Sequence, residues 1–247
     1  MGKNEQHQMN ELRTKLAAGK ACIGAWLTLP SAEAAEVMAA MGFLAAERHG
    51  AAPFARIAEH DPYLARRLFD SGAQGLIVST VEDASALSGF LDHCLYPPRG
   101  RRGVGLSRCN LWGDTFDAYM SDFRPLLIAQ IETAAGVAAI EDIMALDAVD
   151  GFFLGPYDLS ASIGKAGDFE SREMHEAIER VRQAASKAGK MMGIHQIQPD
   201  AEALAGRVRE GYQLIAYASD AIAMRHSLDA VRSLPRDTQT LPRDTQK

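Results

Sequence analysis

Short apolar runs without alternation recur along the chain, each bounded by polar or turn-forming residues. An apolar run of four to eight residues with no alternation reads as a strand buried on both faces, as in parallel sheets. Seven such strands are expected, at 21–29, 52–58, 74–80, 127–131, 149–156, 191–195 and 213–218. Helical periodicity fills the intervals at 10–19, 32–41, 61–72, 81–95, 110–123, 135–146, 172–188, 200–211 and 221–234. Local signals mark several ends. Ser31 with Glu33 opens the second helix, and Asp61 before Pro62 sets a cap and a proline at the first helical position. Gly19, Gly42 and Gly189 stop helices. Trp112, Phe116 and Tyr119 are expected to face inward.

One interval breaks the alternation. After Gly42, residues 43–50 read as one or two turns of helix closed by Gly50, so no buried strand stands between those at 21–29 and 52–58. Eight strands close an α/β barrel. Either one strand is absent, or 43–50 hides it, or the sheet is open and doubly wound. No GxGxxG or GxxxxGK[ST] pattern supports the last alternative.

The length of 247 residues fits one large domain, expected to span 1–234. The tail 235–247 repeats a Leu-Pro-Arg-Asp-Thr-Gln unit with little apolar content and is expected to be disordered. A net charge of −6 with no basic stripe argues against nucleic acid as a partner. The apolar stretches are too short to cross a membrane. A polar N-terminus without a signal core and three scattered cysteines fit a reduced cytoplasm. Without CxxC or HExxH, a structural zinc site is not expected.

The candidate chemistry lies at strand ends, where α/β barrels carry their active sites. Glu132 and Asp158 end neighbouring strands. Two converging carboxylates suit a hard cation such as Mg²⁺; the alternative is a pair of capping or salt-bridged acids. Arg56 sits in an otherwise apolar strand, where a buried arginine is costly without anionic company. His60 and His195 also fall at strand ends, as structural histidines or as bases. Arg99, Arg101 and Arg102 form a charge run in a glycine-rich loop.

Six segments together carry a family resemblance. They are Ile23-Gly24-Ala25-Trp26, Arg56-Ile57-Ala58 before Asp61-Pro62, and Gly72-Ala73-Gln74-Gly75-Leu76-Ile77-Val78. Tyr96-Pro97-Pro98-Arg99-Gly100-Arg101-Arg102-Gly103, Gln130-Ile131-Glu132-Thr133 and Gly155-Pro156-Tyr157-Asp158-Leu159-Ser160 complete the set. In this order, over residues 10–230, the chain resembles the class II pyruvate-dependent aldolases of the HpcH/HpaI family. The resemblance implies a TIM-type (β/α)8 barrel that lacks or has rebuilt its second strand. It implies metal-dependent cleavage and formation of 4-hydroxy-2-oxo acids from pyruvate and an aldehyde, with oxaloacetate decarboxylation as a side activity.

The cofactor implied is Mg²⁺ or Mn²⁺, with Co²⁺ as a further candidate, held by Glu132 and Asp158. Arg56 would hold the keto or enolate oxygen, Gln130 would line the metal's water shell, and Gly155, Pro156, Tyr157 and Asp158 would take the pyruvate carboxylate. A homo-oligomer, a hexamer by resemblance, is expected, acting on small molecules away from nucleic acid and membrane. The family's second strand ends in a D-x-E-H motif whose histidine is the general base. Here the corresponding stretch is cut short, and His49 follows Arg48 where a glutamate belongs. About twenty residues, part of one barrel unit, are missing relative to the family pattern. His60 or His195 is the possible substitute base. Without one, the chain would be a catalytically impaired keto-acid-binding barrel.

Overall fold

All seven expected strands form and all run parallel. A computed structural model of the protein describes residues 11–29 and 52–232. The strands are β1 (Cys22–Trp26), β2 (Phe54–Ile57), β3 (Gly75–Val78), β4 (Leu126–Ile131), β5 (Gly151–Leu154), β6 (Met191–Gln196) and β7 (Leu214–Ser219). They pair in the order β1-β7-β6-β5-β4-β3-β2. Every residue of β3, β4 and β5 is buried, which is why these segments show no alternation. The result is a curled seven-stranded sheet in which β1 and β2 are the two end strands; among the described residues they do not pair with each other. The expected cap at Ser31, the helix 32–41, the segment 43–50 with His49, and the tail 235–247 lie outside the described residues.

Helices cover the outside of the curl. Asp61 caps Pro62–Asp70 by accepting from Tyr63 N at 2.8 Å, and Pro62 is its first residue. Arg172–Ala188 ends at Gly189, whose φ of +65° is the left-handed cap. Four helices differ from expectation, the last of them, 221–234, dividing at Leu228 into Asp220–Ser227 and Asp229–Arg232. The segment 81–95 is helical only over Ala84–Leu91, because Asp83 is its cap and Val81 N instead donates to Gln130 O at 3.3 Å. The segment 135–146 divides at Ala139 into Ala134–Ala138 and Ile140–Met144.

In 110–123 only Phe116–Asp122 is α-helical. The Asn110 side chain accepts from Ser107 N and donates to Gly105 O. The pinned loop then turns through left-handed φ at Leu111 and Trp112. This throws the Trp112 indole outward, 69% exposed, which corrects its expected inward packing.

Two apolar cores result. The larger lies between sheet and helices around Phe69, Leu87, Phe152, Leu159 and Val181. The smaller fills the lower inside of the curl, where Leu12 and Leu16 pack with Leu126, Ile128, Phe153 and Leu214. Each such buried side chain contributes about 1.5–3 kcal/mol. The helical residues 11–17 plug the N-terminal end of the sheet. Arg13 donates to the carbonyls of Arg124 and Pro125, at 2.8 and 2.7 Å, and Gln213 Nε2 donates to Leu16 O at 2.7 Å. With the bottom closed, the C-terminal ends of the strands remain open.

The arginine loop is not one charge run. Arg99 faces a small recess with Arg13 and Arg124 at the plugged end, away from the open mouth. The Arg102 side chain is fully buried, 4.6–5.0 Å from the ring centroids of Phe69, Tyr96 and Phe123. It pairs with Asp70 Oδ1 at 2.7 Å. Removing one partner of such a pair leaves a buried charge uncompensated. Asp70→Asn is therefore expected to lower stability by about 3 kcal/mol, read as a fall in the urea unfolding midpoint at unchanged slope.

Candidate functional site

The polar ends of β2, β3 and β4 meet in one hydrogen-bonded chain. Gln130 and Glu132 are two residues apart and so lie on the same face. Arg56 Nε donates to Gln130 Oε1 at 3.0 Å, and Ser79 Oγ lies 3.4 Å from the same oxygen. Gln130 Nε2 donates to Glu132 Oε2 at 2.5 Å. Thr80 closes the chain, its N and Oγ1 donating to Glu132 Oε1 at 2.8 and 3.0 Å. Thr80 has a φ of +52°, a conformation unfavourable for a β-branched residue, and these two bonds help hold it. Because Gln130 Oε1 accepts from Arg56, its amide is oriented with NH₂ toward Glu132.

A cavity of about 650 Å³ opens beside this chain. Arg56, Gln130, Gly155, Pro156, Tyr157, Asp158 and His195 line it. Glu132, 4% exposed, sits one layer behind. A Cβ built on Gly155 would lie 2.9 Å from Glu132 Oε2 and 3.1 Å from Gln130 Nε2. Only a glycine lets the end of β5 approach the carboxylate so closely.

Asp158 is the third residue of the helix Pro156–Ser162, whose cap is Gly155. It is therefore not a cap, and its exposed carboxylate occupies the first turn, where the helix dipole favours negative charge. Tyr157 is half exposed, its ring 4.8 Å from that of Phe169.

The two histidines part company. His60 Nε2 is 3.0 Å from Ser79 O, its ring stacks on Phe90, and it is not among the described residues that line the cavity. His195, in β6, lines the cavity and meets the Trp26 ring edge-on at 5.9 Å. Its Nε2 is buried without a hydrogen-bond partner. Burial pushes its imidazole down to about 4; a hydrogen bond with the Ala218 backbone opposes this and the charge of Arg56 adds to it.

An unfolded histidine titrates near 6.5, so between these values the unfolded chain binds the extra proton. The stability gained by keeping His195 neutral is complete above pH 6.5 and is lost as pH falls toward 4. A loss of about 3 kcal/mol is expected across that window. Urea midpoints measured against pH, with His195→Phe as the flat reference, check it.

Sequence reasoning missed Ser79 and Thr80. Their signal was a polar pair closing an apolar strand, the same signal that singled out Glu132. It also missed Asp220, 3% exposed, which accepts from Thr28 N, Thr28 Oγ1 and Leu29 N. Burial raises this carboxyl's pKa, but the bonds from Thr28, Leu29 and Ala221 outweigh it and hold it below the usual range. Asp220 thereby fixes the residues after β1 at the cavity mouth.

For a cation, the donor chemistry fits. The hydrogen-bond partners of the Glu132 carboxylate among the described residues are neutral donors, and a buried carboxylate in neutral company is favourable ground for a positive ion. No group of three His, Cys, Asp or Glu side chains arranged for a metal occurs among the described residues. The candidate set is therefore the two carboxylates, a number with which Mg²⁺ is commonly held alongside waters and substrate oxygens.

Comparison with known proteins adds an independent line. Residues 31–227 match the HpcH/HpaI aldolase/citrate lyase family. A hydroxypyruvate/pyruvate aldolase from Pseudomonas aeruginosa is 33% identical over 246 residues, covering 89% of this chain and 90% of the relative. A 4-hydroxy-2-oxo-heptane-1,7-dioate aldolase from Salmonella paratyphi A is 31% identical over 247 residues, covering 90% and 93%. The crystal structure of an HpcH/HpaI aldolase/citrate lyase family protein from Burkholderia cenocepacia superposes with a TM-score of 0.81 at 30% identity, covering 91% of this chain and 100% of that one. The described helices include none long and apolar enough to cross a membrane.

Proposed function

This chain belongs to the HpcH/HpaI aldolase/citrate lyase family, and we propose that it is a metal-dependent carbon–carbon lyase acting on 4-hydroxy-2-oxo acids. The observation that carries the reading is the chain Thr80–Glu132–Gln130–Arg56 running to the cavity wall. Glu132 and Asp158 would hold the divalent cation, Mg²⁺ or Mn²⁺, with Gln130 beside them. The cation would draw charge from the keto and carboxylate oxygens of a 2-oxo acid. Arg56, held by Gln130, donates to the oxygen on which enolate charge develops. The backbone of Gly155–Asp158 receives the carboxylate. Relatives named as pyruvate and 4-hydroxy-2-oxo acid aldolases support this substrate class. The chain acts as one barrel domain over 1–234, in a homo-oligomer in the cytoplasm.

We further read the barrel as lacking its second strand. The Pseudomonas relative aligns over 246 residues while taking in 89% of a 247-residue chain. Some two dozen aligned positions thus have no counterpart here, somewhat less than one strand-and-helix unit of a barrel. We place this gap in the stretch after Gly42, the segment that would carry the family's base. A second reading, a keto-acid-binding barrel with little aldol turnover, is favoured by the two histidines. His60 is engaged with Ser79 O, and His195 is a weak base with its Nε2 buried.

Metal removal tests the main reading. Chelation is expected to abolish cleavage of 4-hydroxy-2-oxopentanoate to pyruvate and acetaldehyde, and Mg²⁺ or Mn²⁺ to restore it. Undiminished turnover in chelator would sink the assignment. Pyruvate binding by titration calorimetry without turnover would leave the binding-barrel reading.

A further inference from the structure

The cavity is much larger than the reacting atoms require. At about 650 Å³ it falls in the range that holds drug-sized ligands, whereas a three-carbon keto acid fills a small part of it. Arg56 and Asp158 are the charged side chains among its described lining residues, and Gln130, Tyr157, Thr28 and Ser219 are neutral polar ones. Its apolar part is walled by Trp26, Leu27 and Phe54 and floored by Ile77, Phe153 and Leu214. The floor residues are each less than 10% exposed and form the upper surface of the inner core. Trp26 is braced edge-on against Phe153 at 5.8 Å. The apolar space is therefore built on packed residues at the open end of the curl, where an ordinary barrel interior is filled.

Charge restricts the occupant further. Arg56 is the one cationic side chain among the described lining residues, and the lyase reading commits it to the keto-acid end. Burial keeps the His195 imidazole neutral near neutral pH. A second carboxylate carried into the apolar end would be desolvated with no cationic side chain among the described lining residues left to pair it.

We infer that the acceptor handled by this site is an uncharged aldehyde with an extended apolar body, lodged between β1, β2 and the floor at Phe153. This rests on the lyase reading for the keto-acid half. In the synthetic direction C3 of pyruvate forms a bond to the aldehyde carbon, the C3 proton leaves, and the aldehyde oxygen takes up a proton to become the 4-hydroxyl. The apolar body remains outside the chemistry and contributes binding alone.

The test compares kcat/KM for acetaldehyde, butanal, hexanal and succinate semialdehyde with pyruvate and Mg²⁺. Each added methylene is expected to raise it about fourfold, and hexanal to exceed succinate semialdehyde by at least about tenfold. A flat series, or preference for the charged aldehyde, overturns the inference. A binding arm decides it independently of turnover. The chain has two tryptophans, and Trp112 is exposed outside the cavity, so Trp112→Phe leaves Trp26 as the sole reporter. Hexan-1-ol is expected to shift Trp26 emission saturably and 4-hydroxybutanoate to leave it unchanged; no response to hexan-1-ol, or a response to the anion alone, overturns the inference. Oxaloacetate decarboxylation, which needs no acceptor, reports on the keto-acid half. Its absence would count against the lyase reading, while the emission arm still decides the acceptor.

Discussion

Glu132→Gln is expected to lower turnover by on the order of 10³-fold, for aldol cleavage and oxaloacetate decarboxylation alike. The substitution keeps the size of the side chain and an oxygen to accept from Thr80 N, so the turn at Thr80 retains its support. It removes the negative charge that would hold the cation. It also sets an amide NH₂ against Gln130 Nε2, which now donates to Glu132 Oε2. Gln130 relieves that clash only by turning its amide, and then presents NH₂ to Arg56 Nε in place of the oxygen that now accepts from it. One change thus weakens cation binding and loosens the arginine. Steady-state rates over a metal titration check it. If saturating metal restores full activity, Glu132 is not essential to the reaction. An unchanged urea midpoint in the variant separates a site effect from unfolding.

The second large effect is a ratio between two reactions of the unmodified protein. Oxaloacetate decarboxylation is expected to outpace cleavage of a 4-hydroxy-2-oxo acid by about 10²-fold or more. Loss of CO₂ leaves the enolate without any base. Retro-aldol cleavage needs a group to take the 4-hydroxyl proton, and a positioned base supplies about 10²–10⁴-fold. His60 is occupied at Ser79 O. His195 carries a pKa near 4, far below the operating pH at which a base is most effective. Both rates on one preparation decide the matter. Equal rates would mean that a base is at work, and His195→Gln would then show whether it is His195, by lowering cleavage while sparing decarboxylation.

The strands could be read from the sequence because burial on both faces leaves a direct mark: β3, β4 and β5 are wholly buried and wholly unalternating. Caps such as Asp61 and Gly189 were legible because a hydrogen bond two residues away, or a left-handed φ, demands a particular side chain. Arg56, Gln130 and the Gly155–Asp158 turn could be placed at strand ends by the same local logic. The loop at 107–113 could not, because its course depends on Asn110 bonding both Ser107 and Gly105, which outweighs the helical preference of its residues. Nor could the fate of Arg102, whose charge meets Asp70, 32 positions away, and the rings of Phe69, Tyr96 and Phe123.

The sequence by itself thus determined the strands, their parallel arrangement, and the carboxylates, arginine and glutamine at the strand ends. Each of these follows from burial periodicity or from the chemistry of a residue type near its own neighbours. Tertiary structure alone decided that Glu132 lies behind Gln130 rather than on the cavity wall. It also decided that His195 faces the cavity as a neutral ring while His60 is engaged at Ser79, and that an apolar chamber stands beside the polar chain. These depend on the curl of the sheet, which brings β1, β4 and β6 around one space and sets the desolvation each side chain meets. Desolvation and distance across strands have no local signature, so no pattern along the chain could have supplied them.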